Sequence, residues 1–172
     1  LIVSIVGTDR HGIVRSLAER AERYGANWAA SRMTRLAGEF AGMVHFEVPR
    51  ENADALTNAL RSLDSSGLQV VVAKSDGANV SDSIKSVELE LVGDDRVGIV
   101  SSLTKMLAER NISIESIHTE IVRSGVSGKQ TFKIGAHLLV PGKLSIDELR
   151  QELGALAHEM TLDIALGEKS VA

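Results

Sequence analysis

Aspartate, arginine and glycine stand together twice in this 172-residue chain, in a pattern able to hold a small charged molecule. The first stretch is Val6-Gly7-Thr8-Asp9-Arg10-His11-Gly12-Ile13-Val14 and the second is Val92-Gly93-Asp94-Asp95-Arg96-Val97-Gly98-Ile99-Val100. Each follows an apolar, β-branched run and leads into an apolar periodicity of 3.6, so each reads as a strand end, a turn and a helix start. A helix start presents N–H groups without intrahelical partners and the positive end of the helix dipole, which suits a carboxylate. Gly12 and Gly98 let a ligand approach the backbone. Asp9 and Asp95 are placed to meet an ammonium group, and the two charges together describe an α-amino acid. Arg10 with His11, and Arg96 with Val97, complete the turns. Asn27 and Ser113, opening the next strands, are polar positions that a paired unit would add. A plainer reading stands beside this one. Asp in such a turn commonly caps a helix, glycine commonly serves the turn alone, and a surface arginine commonly joins a weak ion pair.

The two stretches are one motif in duplicate. Gly7, Asp9, Arg10, Gly12, Ile13, Val14, Ser16 and Leu17 recur at a constant offset of 86 as Gly93, Asp95, Arg96, Gly98, Ile99, Val100, Ser102 and Leu103. The chain is therefore a tandem repeat of one small unit. In each copy a strand (1–6; 87–91) leads to an amphipathic helix (12–23; 98–110). Apolar residues sit on one side of it, Ile13, Val14, Leu17, Ala18 and Ala21 in the first copy and Ile99, Leu103, Met106 and Leu107 in the second. Both helices should stop at a residue tolerant of left-handed geometry, near Gly25 and Asn111.

Two extended runs follow, 27–36 with 41–48 and 113–122 with 130–140, joined by glycine-bearing turns and closed by Pro49 and Pro141. A second helix (53–64; 146–159) and a last strand (68–73; 162–166) complete each copy, and Ser145 and Glu148 form a capping box. The order β-α-β-β-α-β with right-handed crossovers predicts an α+β fold, a four-stranded antiparallel sheet with both helices on one face, the ferredoxin-like arrangement. The expected division is 1–75 and 84–172, with the small, polar stretch 76–83 as linker. Glu88 and Glu90 should face away from the core, where the first copy has Ile2 and Ser4, with Val6 next. Either the first copy's open face is partly covered, or the difference arises from where the sequence starts.

Composition removes several function classes. Aromatics make up 3% and the net charge is −4, so neither base-stacking rings nor a basic footprint for nucleic acid is present. Zero cysteines exclude disulfides, thiolate metal sites and cysteine nucleophiles. No apolar run reaches the ~20 residues of a membrane span. The expectation is a cytoplasmic protein, with some natural residues preceding Leu1. No catalytic constellation emerges: Gly-x-Ser-x-Gly, Walker and His-Glu-x-x-His patterns are missing. His118 and His137 lie on neighbouring strands, but no carboxylate at ligand spacing supports a metal site. No cofactor is expected.

The Asp-Arg-x-Gly-Ile-Val runs, with Gly25-Ala26-Asn27 about fifteen residues after the first, resemble the ACT domain, a ferredoxin-like regulatory module that typically senses amino acids. The further run from Gly25 to Met33, with Gly38-Glu39-Phe40, is similar to tandem-ACT proteins related to the glycine cleavage repressor. The resemblance spans nearly the whole chain. It implies a non-enzymatic regulator that binds a small amino acid, with glycine or serine as guesses, at Asp9, Arg10, His11, Gly12 and Asn27, or at Asp95, Arg96, Val97, Gly98 and Ser113. It further implies a homodimer, and control of transcription through a partner protein rather than by direct contact with nucleic acid. The alternatives are the regulatory region of an amino-acid-metabolism enzyme and a dimerisation module without ligand. Two departures from the family pattern matter. His11 and Val97 stand where proline is frequent, and Asn111-Ile112-Ser113 replaces Gly25-Ala26-Asn27. If one unit has lost binding, the second is the better candidate.

Overall fold

The computed structural model describes residues 1–74, 83–123 and 130–168. The expected linker, apart from Ser83, and the hairpin tip at 124–128 lie outside these. The chain divides into two compact units, Leu1–Asn79 and Val80–Ala172. The first contains β1 (Ile2–Thr8), α1 (Ile13–Arg23), β2 (Asn27–Leu36), β3 (Glu39–Glu47), α2 (Ala53–Arg61) and β4 (Leu68–Ala73), and the second β5 (Ile84–Asp94), α3 (Ile99–Glu109), β6 (Ser113–Arg123), β7 (Gln130–Pro141), α4 (Ile146–Glu159) and β8 (Leu162–Glu168). The sheets are antiparallel, in the orders β2-β3-β1-β4 and β6-β7-β5-β8. Each unit is thus the ferredoxin-like βαββαβ fold.

Each core lies between one sheet face and two helices; the second is aliphatic, while the first, against the expectation of a purely aliphatic core, also contains the ring of Phe46. In the first unit Ile13, Leu17 and Leu56 from the helices meet Val3, Val44 and Phe46 from the sheet. In the second, Ile99, Leu103 and Leu149 meet Val87, Leu89 and Leu138. Glu88 and Glu90 are exposed on the opposite face.

Local chemistry sets the ends of the elements. Gly25 (φ 66°) and Asn111 (φ 54°) take the left-handed conformation after α1 and α3. There the N–H of Ala26 bonds the Ala21 carbonyl and that of Ile112 bonds the Leu107 carbonyl, both at 2.9 Å. The β2–β3 turn narrows to Ala37 (φ 51°) and Gly38 (φ 88°), the positive-φ pair of a two-residue hairpin. The first unit's second helix is shorter than expected. It ends at Arg61 and tightens into a 3-10 turn over Ser62–Ser66. Ser62 Oγ donates to the Ala59 carbonyl at 2.7 Å and Ser66 Oγ to the Leu63 carbonyl at 2.6 Å, the competition by which serine loosens helix ends. The Ser145 hydroxyl accepts from the Glu148 N–H at the head of α4. Ser145→Ala should lower the second unit's stability by about 1 kcal/mol, read from urea denaturation.

β1 and β5 also run longer than expected, through Gly7 and Gly93. A Cβ on Gly7 would lie 2.6 Å from the Gly67 carbonyl oxygen, and one on Gly93 would lie 3.0 Å from that of Thr161. Both glycines let the last strand of their unit cross at close range. Gly7→Ala should therefore destabilise the first unit by about 1–3 kcal/mol, a shift in thermal midpoint being the check.

Candidate functional site

Both repeat turns run into a helix whose N-cap is a left-handed glycine, Gly12 at φ 90° and Gly98 at φ 100°, and neither cap makes a side-chain hydrogen bond to the helix. The ladders begin with the N–H of Ser16 on the Gly12 carbonyl and that of Ser102 on the Gly98 carbonyl, each at 2.9 Å. The N–H groups of Ile13, Val14 and Arg15, like those of Ile99, Val100 and Ser101, precede the ladder and have no intrahelical acceptor. A Cβ built on either glycine meets nothing within 4 Å, so the space before each helix start is open.

In the first unit this start borders a hollow of about 360 Å³, whose lining includes Arg10, His11, Gly12, Arg15, Glu19 and Arg20. Its walls are held in place. The Arg10 guanidinium donates to Ser66 Oγ at 2.7 Å, and Arg15 Nε pairs with Glu19 at 2.7 Å. Arg20 donates to the Ser16 carbonyl at 2.9 Å and to the Ala59 carbonyl at 3.1 Å, bracing α1 against α2. Three guanidinium groups and one imidazole face a single carboxylate. Added to the helix dipole, this arrangement attracts an anion the size of a carboxylate.

Both halves of the chain match a family model for the ACT domain, over residues 1–73 and 87–158. The chain belongs to the ACT-domain family. Among solved structures it is similar to an unknown protein from Galdieria sulphuraria, at 30% identity over 98% of this chain and 97% of that one, with a TM-score of 0.88. It also shares its fold with a "putative glycine cleavage system transcriptional repressor", at 21% identity over 99% and 96% of the two chains, with a TM-score of 0.73. No curated protein matches the sequence significantly. The chain is thus a regulatory tandem ACT-domain protein.

The ACT fold separates the candidate residues. Arg10, His11 and Gly12 line the hollow. Asp9 turns the other way: its carboxylate pairs with Arg35 at 3.1 Å and its N–H donates to the Gly38 carbonyl at 2.9 Å, tying the turn to the β2–β3 hairpin. Asn27 lies opposite Glu47 and donates to it at 3.2 Å, whereas Thr8, leading into the turn, lies opposite Glu39. Asn27 therefore occupies the far end of its sheet. Ser113, opposite Leu139 while Asp94 is opposite Thr131, is placed the same way in the second unit. Neither residue reaches the turn of its own unit.

The second ACT unit keeps the backbone of the site and changes its side chains. Arg96 donates to the Glu159 carbonyl at 3.4 Å, the Asp95 N–H donates to the Gln130 carbonyl at 3.4 Å, and Val97 is fully exposed. Ser101, Lys105 and Met106 stand where the first helix has Arg15, Glu19 and Arg20, so the second site has two cations, Arg96 and Lys105, and no carboxylate at these positions.

Sequence reasoning missed Arg15, Glu19, Arg20 and Ser66. A run of arginines at 10, 15 and 20 was visible, but which helix face meets the 3-10 turn is a tertiary fact. The open face of the second unit also holds a contact absent from the expectation: His137 Nδ1 lies 3.6 Å from a Glu88 oxygen across β5 and β7. Among the described residues no group of three or more His, Cys, Asp or Glu is arranged to hold a metal ion, and no helix is long and apolar enough to cross a membrane.

Proposed function

We propose that this protein senses a small amino acid through its first ACT unit. The ligand carboxylate sits on the free N–H groups at the start of α1, beside Gly12, with Arg10, His11 and Arg20 adding positive charge, and Glu19 offers the acidic group for the ammonium. Asp9 holds the turn through Arg35. Asp95, Arg96, Val97 and Gly98 form the second unit's counterpart, and Asn27 and Ser113 join such a site only from another copy of the chain. The observation that carries the reading is the uncapped helix start opening on a basic hollow. Occupancy shifts how copies pair and so changes contacts with a partner protein. The description of the 21%-identical structure supports transcription as the process controlled.

Calorimetric titration of the chain with each of the twenty amino acids, glycine and serine first, tests this. The expected result is saturable heat from at least one small amino acid. Folded protein giving no heat with any of them would leave a scaffold without a ligand.

A further inference from the structure

We infer that the first ACT unit takes an acidic amino acid, and that Arg20 selects the side-chain carboxylate. The inference rests on the sensing reading above and narrows its ligand. The hollow beside Gly12 continues down α1: Gly12, Ser16 and Arg20 line it at successive i, i+4 positions, and Leu63 and Ser66 line it from the 3-10 turn. The Ser16 carbonyl, which anchors Arg20, lies one turn, ~6 Å, along the axis from the Gly12 carbonyl. Glycine or serine held at the helix start leaves that turn of the hollow unfilled. Aspartate or glutamate extends a second carboxylate along it. The volume of about 360 Å³ agrees, being that of roughly a dozen water molecules.

Charge points the same way. Arg15 and Glu19 pair at 2.7 Å and offset each other. Arg10 and Arg20 remain, bonded to a hydroxyl and to two carbonyls, and among the described residues neither pairs with a carboxylate. Hydroxyl and carbonyl oxygens satisfy donors but bring no negative charge. An amino acid with two carboxylates supplies one to each guanidinium.

Arg20 is the discriminating member of the pair. It is half-buried, and its Nε and Nη1 are fixed by Ala59 and Ser16 before any ligand arrives, so little ordering cost is left for binding. Its remaining N–H groups keep the planar fork that matches a carboxylate. The fold does not require a cation here. The same repeat position on α3 is Met106, which packs against the second core. Arg10, by contrast, recurs as Arg96 and belongs to the shared turn.

Calorimetric titration of the full chain with glutamate, aspartate, glutamine, asparagine and glycine tests the inference. Glutamate or aspartate should bind at least tenfold more tightly than its own amide. Arg20→Met, which copies the second unit's residue, should bring the acid down to the affinity of the amide and leave the amide within twofold of its parent value. A merely structural role for Arg20 would weaken acid and amide alike. Arg61→Gln, which removes an arginine lining a different hollow on α2, should change neither. The acid-to-amide comparison on the parent chain needs no variant, so it decides the matter if Arg20→Met fails to fold. An amide or glycine that binds as tightly as the acids, or an acid preference that survives Arg20→Met, would overturn the proposal and leave sensing in place. Silence from every amino acid would overturn both.

Discussion

Phe46→Ala should leave the first ACT unit largely unfolded while the second keeps its structure. Phe46 is fully buried, and its ring meets the edge of Trp28 at 5.2 Å and 87°. Truncating a buried phenylalanine costs about 3–5 kcal/mol, as large as the whole stability of many small domains. Trp28 is the one tryptophan of the chain, so its fluorescence reports this unit alone. The expected observation is red-shifted emission in the absence of urea, or a urea midpoint lowered by the equivalent of about 3 kcal/mol. An unchanged midpoint would mean that the aromatic pair is not central to the core. The second unit builds the same place without rings, from Leu138 opposite Ile114.

Gly12→Ala should abolish ligand binding at a small cost to folding. Nothing lies within 4 Å of the added methyl, so the cost is the left-handed strain alone, about 1–2 kcal/mol. The methyl would, however, project into the space proposed for the carboxylate. Affinity should fall at least tenfold, about 1.4 kcal/mol, by calorimetry with whichever amino acid binds the parent. Gly25→Ala is the matched control. It has a φ of 66°, equally empty surroundings and a position at the other end of α1, so it should destabilise similarly and leave affinity unchanged. Equal loss of binding in both variants would place the effect in the fold rather than the site.

The duplicated turn, the helix stripes and the glycine-marked ends were legible because each obeys a local period or a backbone rule. Leu17 and Leu103 could be read as core residues from spacing alone and both are fully buried, whereas Val14, read on the same stripe, is 46% exposed. What escaped depended on residues distant in sequence. Asp9 reads as a ligand group until Arg35, across a hairpin, is seen to pair with it. Arg20 reads as a solvated helix residue until Ala59 of α2 comes within hydrogen-bond reach. The position of Asn27 was readable in principle, since β1 and β2 run in the same direction. The start of one must then lie a strand's length from the end of the other.

Of the four glycines in the two repeat turns, two are constrained by steric contact and two by backbone angle. Gly7 and Gly93 have a carbonyl where a side chain would go, while Gly12 and Gly98 have open room. A library varied over these turns would therefore lose nearly every member changed at the first pair. Members changed at the second pair would survive, so Gly12 and Gly98 are where a designer can vary the proposed ligand site and Gly7 and Gly93 are where the scaffold must be left alone.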